Sequence, residues 1–97
     1  MTEALPGAVA IDHRVEASRF EAAYPEGVAV CVYRREGDVV LITHTEVPSA
    51  LEGRGIAAAL VQAALDWARA QGLRVRPLCS YVVAYMRRHP QTQDLLG

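Results

Sequence analysis

Apolar and polar side chains alternate along the first half of the chain, which is the pattern of strands with one buried face. Turn signals interrupt the alternation: proline and glycine occur in Tyr24–Gly27, and a glycine lies between acidic residues in Glu36–Asp38. Residues 18–47 are therefore expected to form an antiparallel meander. The predicted strands are Ala8–Asp12, Ser18–Ala23, Val28–Arg34 and Val39–Val47.

In the second half the apolar spacing lengthens to three and four residues, which is typical of an amphipathic helix. This spacing predicts a long helix from Gly55 to about Gln71. A short strand at Leu73–Cys79 follows, and Pro77 within it indicates an edge or a splayed strand. A second, short helix is expected at Val82–His89, ended by the next proline. The predicted fold class is α/β (α+β): a mixed, mostly antiparallel sheet with one long and one short helix packed on it.

Length and composition limit the chain to one small domain. The sequence has 97 residues, of which 52% are hydrophobic, so a single core is expected and disorder is excluded. Residues 1–7 are predicted to be a flexible N-terminus and residues 8–97 to be the domain. No secretory signal and no apolar run of ~20 residues is visible, so no membrane association is expected. Two cysteines are too few for a disulfide framework, which favours a cytoplasmic location.

The charge is unevenly distributed along the chain. The net charge of −1 excludes a strongly basic nucleic-acid binder, so no nucleic-acid partner is expected. Residues 1–52 contain four arginines and nine acidic residues, whereas residues 53–97 contain six arginines and two acidic residues. The second half is therefore the part of the chain that is suited to an anionic ligand.

The strongest chemical signal is the loop that joins the last meander strand to the long helix. Its sequence, Glu52–Ala57, contains Gly53 and Gly55, which allow a ligand to approach the backbone closely. The first N–H groups of a helix are unpaired, the helix dipole is positive at that end, and Arg54 adds a full charge. These features predict a cradle for phosphate or pyrophosphate. The alternative is a pair of glycines that only permit a tight turn.

This loop resembles the acyl-CoA signature of the GNAT acetyltransferases, Gln/Arg-x-x-Gly-x-Gly/Ala. The likeness extends from Ser18 to Leu96 through three ordered motifs, and it is similar to a short GNAT subfamily of about this length. The resemblance implies a compact GNAT-like fold that lacks the extra N-terminal helices of larger members, with an open acceptor side. The motifs are His44–Pro48, Pro77–Cys79 and Arg88–Pro90.

The resemblance also implies acetyl-CoA as the co-substrate. The CoA pyrophosphate is expected at the backbone amides of the loop, and the pantetheine arm along the strand end at Glu46 and Val47. The arm would enter a splay between that strand and the one that ends at Cys79. Glu52 occupies a position where the family carries Gln or Arg, so its carboxylate is expected to weaken phosphate binding unless it points away or pairs with Arg54. The implied cofactor-binding residues are Val47, Glu52, Gly53, Arg54, Gly55, Ile56, Ala57 and Ala58.

Acyl transfer needs a base, stabilisation of an oxyanion and an acid for the departing thiolate. His44 and Glu46 share one strand face and are candidate bases. Cys79, at the implied splay, is a candidate nucleophile that would carry the acetyl group. Tyr85 lies where many GNAT enzymes have the acid, with Tyr81 one turn earlier. Each of these residues also has a purely structural interpretation, as packing or surface side chains.

The predicted function is acetyl-CoA-dependent N-acetyl transfer to an amine that is a small molecule or a protein. The route is direct attack by the amine or an acetyl intermediate on Cys79. The alternative is an acyl-CoA-binding or regulatory module with little catalysis, which acts with a partner protein. The three histidines lack the spacing of metal ligands, so no metal is expected, and the chain is expected to be a monomer or a weak dimer.

Overall fold

The computed structural model describes residues 9–97 and has five strands, two α-helices and three short 3₁₀ helices. The predicted flexible terminus, residues 1–7, lies outside the described residues. No helix in residues 9–97 has the length and apolar character needed to cross a membrane. The strands are β1 (Asp12–Arg14), β2 (Arg19–Tyr24), β3 (Gly27–Glu36), β4 (Val39–Glu46) and β5 (Arg74–Pro77). The helices are α1 (Ile56–Ala70) and α2 (Ser80–Arg88), with 3₁₀ turns at Val15–Ala17, Ser49–Leu51 and Pro90–Leu95.

The strands form one sheet in the order β1-β2-β3-β4-β5. The first four strands are antiparallel neighbours, as hairpin connections require, and β5 is parallel to β4 because α1 carries the chain across between them. The mixed, mostly antiparallel α+β architecture predicted from the sequence is thereby confirmed. Only a single 3₁₀ turn separates β1 from β2, as expected for a chain without extra helices at that point.

Both α-helices contribute to one hydrophobic core on one face of the sheet. Phe20 and Cys31 from the strands are packed with Leu60 of α1 and Val82 of α2 in this core. The side chains at the alternate strand positions project from the opposite face. Val28 is one of them and is 47% exposed. We call this opposite face the open face. The sheet therefore separates a helix-covered side from a side that is accessible to solvent.

A β-bulge at Thr43 breaks the alternation in β4. Tyr33 pairs with Ile42 but Val32 pairs with His44, so Thr43 is an extra residue on one side of the ladder. Thr43 Oγ1 donates to the Val32 carbonyl across this irregularity at 3.3 Å. As a result, residues that follow the bulge project to the face opposite to the one that strict alternation assigns to them.

Three predicted boundaries are wrong. The first strand is Asp12–Arg14 rather than Ala8–Asp12, because the chain turns at residues 15–18 without proline or glycine, with Ser18 at a φ of 54°. The last strand ends at Pro77 rather than Cys79, since its pairing with β4 stops there. The second helix begins at Ser80 rather than Val82, because the Cys79 carbonyl accepts the N–H groups of both Val82 and Val83.

Candidate functional site

The site lies where β4 and β5 diverge. Their parallel pairing runs to Ile42 and Pro77, and the last bond is from the Leu78 N–H to the Ile42 carbonyl at 2.9 Å. Beyond this point β4 continues to Glu46, and within residues 9–97 no strand pairs with its β5-side edge. An extended ligand with amide groups could therefore pair with this free edge of β4.

The loop after β4 is shaped by one buried anchor and two left-handed glycines. Leu51 is fully buried and fixes the 3₁₀ turn against the core. Gly53 and Gly55 have φ values of 83° and 76°, where a side chain is strained. An added Cβ at either glycine would meet no atom within 4 Å, so conformation, and not space, favours glycine at both positions.

The N-terminus of α1 presents unpaired donors at the end of this loop. Gly55 is the N-cap and offers no side-chain acceptor, and the first intrahelical bond is from Ala59 to the Gly55 carbonyl at 3.1 Å. The N–H groups of Ile56, Ala57 and Ala58 precede that bond and point out of the helix. The partial positive charge at a helix N-terminus attracts anions to such donors.

A cavity of about 350 Å³ joins the free edge of β4 to this N-terminus. Its volume is within the range of small-molecule sites, roughly 300–1,000 Å³. All of the residues predicted to bind the cofactor line it, except Arg54. Thr45, Leu51 and Tyr81 also line it, and the sequence analysis named none of these three as binding residues. The lining residues are Thr45, Val47, Leu51, Glu52, Gly53, Gly55, Ile56, Ala57, Ala58 and Tyr81.

The two charged residues of the loop do not form an ion pair with each other. Arg54 Nη2 is 3.9 Å from Glu26 Oε2, in the turn between β2 and β3. Glu52 is exposed at the end of the 3₁₀ turn and lines the cavity. Of the two charged residues, Glu52 is therefore part of the cavity lining and Arg54 is not.

Cys79, at the start of α2, is not one of the residues that line this cavity, but it contacts Thr45, which is. Its Sγ is 3.8 Å from Thr45 Oγ1 and is partly buried. Burial raises the pKa of this thiol, but the backbone N–H groups of Val82 and Tyr81, together with Thr45, outweigh it and hold the pKa below its ordinary value. The second cysteine, Cys31, is fully buried, and burial raises the pKa of its thiol to about 11. Only Cys79 has the environment of a reactive thiol.

His44 and Glu46 lie on the open face, away from Cys79. They form a pair, with His44 Nε2 3.2 Å from Glu46 Oε1, and both side chains are more than half exposed. The bulge explains their position, because it directs Thr45, and not His44, to the helix-covered face. The two candidate bases are therefore adjacent to the same strand edge as Cys79 but on the other side of the sheet.

The hydroxyl of Tyr85 is directed at α1 and not at the cavity. It donates to Gln62 Oε1, and the ring stacks on His89 with centroids 4.0 Å apart. Burial raises the pKa of Tyr85, with a smaller contribution from Tyr81. Tyr81, one turn earlier, lines the cavity instead. In the part of the chain that the structure describes, no three His, Cys, Asp or Glu side chains are grouped as metal ligands.

Thr45 is the polar residue of this site to which the sequence analysis gave no role. It is a polar side chain in a strand, with nothing in its local sequence to distinguish it from Thr43. The signal that could have identified it is the bulge, which is a property of the pairing between β3 and β4 and not of either strand alone.

Known proteins resemble the chain in sequence and in fold. A family model described as GCN5-related N-acetyl-transferase matches residues 19–95. Protein NATD1 of Gallus gallus is 41% identical over 68 residues, which cover 69% of this chain and 62% of that protein. Protein NATD1 of Homo sapiens is also 41% identical over 68 residues, which cover 60% of its length. The matched part of the chain thus spans about three fifths of these relatives.

A solved structure has the same fold. It is the NMR structure of a GCN5-like protein from Staphylococcus aureus, with a TM-score of 0.74, 24% sequence identity, and coverage of 92% of this chain and 88% of that one. The family match covers most of the described residues, including the glycine loop, the free strand edge and Cys79. The chain belongs to the GCN5-related N-acetyltransferase family.

Proposed function

We propose that the chain transfers an acetyl group from acetyl-CoA to an amine. The observation that carries this proposal is the continuous cavity between the free edge of β4 and the N-terminus of α1. Acetyl-CoA has a group for each end of this cavity. The amides of its pantetheine arm pair with a strand edge, and its phosphates accept hydrogen bonds from the N–H groups at a helix N-terminus. Family membership supports the same chemistry.

The residues of the cavity fit acetyl-CoA in two parts. The N–H groups of Ile56, Ala57 and Ala58 would hold the pyrophosphate, and Arg54 would turn from Glu26 towards it. The backbone of β4 from Thr45 to Val47 would pair with the pantetheine amides. The thioester would then lie near the point where β4 and β5 diverge, beside Cys79.

In the first route, Cys79 attacks from the helix-covered side. Its thiolate bonds to the acetyl carbon, the bond from that carbon to the CoA sulfur breaks, and Tyr81 gives its proton to the departing thiolate. The acceptor amine then attacks the S-acetyl group and displaces the Cys79 thiolate. The proton that the amine loses returns to Tyr81 through water, so the enzyme is restored. The lowered pKa of Cys79 and the position of Tyr81 in the cavity support this route.

The second route is direct attack by the amine from the open face. The carboxylate of Glu46 and the imidazole of His44 lie on that face next to the free strand edge, and either could take the proton from an incoming ammonium. The two routes use side chains on opposite faces of the sheet. Substitutions on one face therefore distinguish them.

Thermal melting of the purified chain with excess acetyl-CoA tests the function, with ADP as a phosphate control. A ligand at about 100 times its Kd stabilises the folded state by ~2.7 kcal/mol. For a domain of this size the expected rise in Tm is roughly 10–20 °C. A rise with acetyl-CoA that ADP does not reproduce supports the proposal. The absence of any rise at millimolar acetyl-CoA would overturn it.

Intact mass spectrometry and amine acetylation assays distinguish the routes. Cys79→Ala is expected to abolish both the S-acetyl protein and turnover if the first route holds. Glu46→Gln and His44→Gln are expected to leave formation of the S-acetyl protein unchanged, because they lie on the other face. If Cys79→Ala retains most of the turnover while Glu46→Gln loses it, direct attack is the route.

A second candidate function is an acyl-CoA-binding module that acts with a partner protein. Two observations favour it: the acidic residue Glu52 lines the cavity, and the hydroxyl of Tyr85 is engaged by Gln62. Binding of acetyl-CoA without S-acetylation of Cys79, and without acetylation of simple amines, would select this function over catalysis.

A further inference from the structure

Thr45 reaches the helix-covered face only because of the bulge at Thr43. Ile42 is buried on that face, so strict alternation would assign His44 to the same side and Thr45 to the open face. The extra residue reverses this assignment: Thr45 pairs with the buried Cys31, and His44 pairs with Val32. Bulges frequently re-aim a side chain near functional sites.

Thr45 lines the cavity and also contacts the Cys79 sulfur. Thr45 is a lining residue of the cavity, and its Oγ1 is 3.8 Å from Cys79 Sγ, within hydrogen-bonding distance for sulfur. The contact joins residues 34 positions apart in the chain, one on β4 and one at the start of α2. It therefore fixes the sulfur relative to the strand edge where the thioester is proposed to lie.

We propose that Thr45 is a positioning residue for Cys79, and that its hydroxyl donates a hydrogen bond to the thiolate and holds the sulfur against the cavity. The inference rests on the proposed transfer through Cys79, but it concerns a property of the thiol that exists without acetyl-CoA. The hydroxyl accepts a bond from the neutral thiol and donates one to the thiolate, so deprotonation requires only a rotation of the O–H group.

Few other groups near Cys79 are able to stabilise and position its thiolate. Cys31 on β3 is the titratable side chain across from it, and it also hydrogen-bonds to the Thr45 hydroxyl. Burial raises the pKa of Cys31 to about 11, so this thiol remains neutral near pH 7. Tyr81 on α2 is the phenol that lines the cavity. The backbone N–H groups of Tyr81 and Val82 also stabilise the thiolate, but they belong to the same helix start as Cys79. From the sheet, Thr45 contributes through its hydroxyl and through its backbone, and substitution by valine removes only the hydroxyl.

The test is the pH dependence of Cys79 alkylation by iodoacetamide, read at the Cys79 peptide by mass spectrometry without acetyl-CoA. Thr45→Val removes the hydroxyl and keeps the shape. It is expected to raise the apparent pKa of Cys79 and to slow alkylation at pH 7 by roughly three- to tenfold. Thr45→Ser keeps the hydroxyl and is expected to retain the rate of the unmodified chain. If the valine variant does not fold, Thr45→Ala is the second variant that lacks the hydroxyl.

Thr92→Val is the control. It removes a buried hydroxyl that donates to the His89 carbonyl at 2.7 Å, and Thr92 is not part of the cavity lining. It is expected to leave the alkylation profile of Cys79 unchanged. The proposal is overturned if deletion of the Thr45 hydroxyl leaves the profile unchanged, or if Thr92→Val shifts it equally.

The same variants separate this proposal from the proposed function. Suppose that removal of the Thr45 hydroxyl shifts the alkylation profile but acetyl-CoA fails to raise the Tm of the unmodified chain. The positioning role then holds and acetyl transfer is wrong. If acetyl-CoA binds and acetylates Cys79 while the profile is insensitive to Thr45, the function holds and the positioning role is wrong.

Discussion

Glu52 adds a negative charge to the lining of the cavity where anionic groups bind under the proposed function. Its side chain is exposed and is not neutralised by Arg54, which contacts Glu26 instead. We expect Glu52→Gln to tighten acetyl-CoA binding about two- to fivefold at low salt, the range for exposed charge interactions. Isothermal titration calorimetry at two salt concentrations measures this, and the gain should shrink at high salt because exposed charges are screened.

Glu36→Gln provides the control for this measurement. Glu36 is an exposed glutamate at the end of β3, paired with Arg34, and it is not part of the cavity lining. It changes the net charge by the same amount as Glu52→Gln. Equal affinity gains from both variants would show that net charge, and not the position of Glu52, limits binding.

At the scale of single residues, the sequence identifies the loop better than it identifies the reacting groups. The glycines of the loop are predictable because their conformation is a local property, and both have positive φ angles. The faces of His44 and Thr45 are not predictable, since a bulge depends on how two strands pair. The direction of the Tyr85 hydroxyl depends on a partner 23 residues away, Gln62.

Gly55 connects the loop to α1, and its substitution tests that connection. Its φ of 76° is a left-handed conformation, which costs a residue with a side chain about 1–2 kcal/mol. We expect Gly55→Ala to lower the stability by about this amount and also to weaken acetyl-CoA binding, because the helix N-terminus must shift to relieve the strain. Chemical denaturation and calorimetry measure the two effects.

Gly37→Ala is the control that separates the loss of binding from the loss of stability. Gly37 has a φ of 62° in the turn between β3 and β4, and an added Cβ there also meets no atom within 4 Å. The cost in stability should therefore match that of Gly55→Ala, with no effect on binding. If both variants weaken binding equally, the loss reflects stability and not the geometry of the phosphate loop.

At the scale of elements, hydrophobic periodicity predicts the long elements well and the short ones poorly. Helix α1 and strands β3 and β4 have enough residues to establish a period, and they lie within a residue or two of their predicted bounds. Strands β1 and β5 have three and four residues, and their limits are set by pairing partners. Local sequence carries no information about where such pairing stops.

At the scale of the whole molecule, the one-sided covering of the sheet determines what the site can do. Helices α1 and α2 enclose the helix-covered face, so Cys79 is partly buried there, while His44 and Glu46 remain exposed on the open face. The pairing between β4 and β5 ends at Ile42 and Pro77, before either set of side chains is reached. An acyl donor bound at this point, as proposed, would therefore have Cys79 on one side of the sheet and the two candidate bases on the other.

Folding of the whole domain is coupled to pH through His13, which attaches β1 to the core. Its ring stacks on Phe20 with centroids 4.0 Å apart, meets the edge of Trp67, and its Nε2 is 2.7 Å from the Tyr33 hydroxyl. Burial lowers the pKa of His13, opposed more weakly by the charge of Glu16. Protonation of His13 is therefore less favourable in the folded state than in the unfolded chain.

This coupling predicts that stability declines as the pH falls below about 6.5, the ordinary pKa of histidine, because protonation then favours the unfolded chain. His13→Phe cannot be protonated, so its Tm should be flat between pH 7.5 and 5.5, although it loses the bond to Tyr33. His44→Gln, which removes an exposed histidine, should keep the decline of the unmodified chain. Asp94, whose pKa is lowered by its hydrogen bond from Arg69, contributes only near pH 4 and below, outside this window. A decline that survives in His13→Phe would assign the pH dependence to another group.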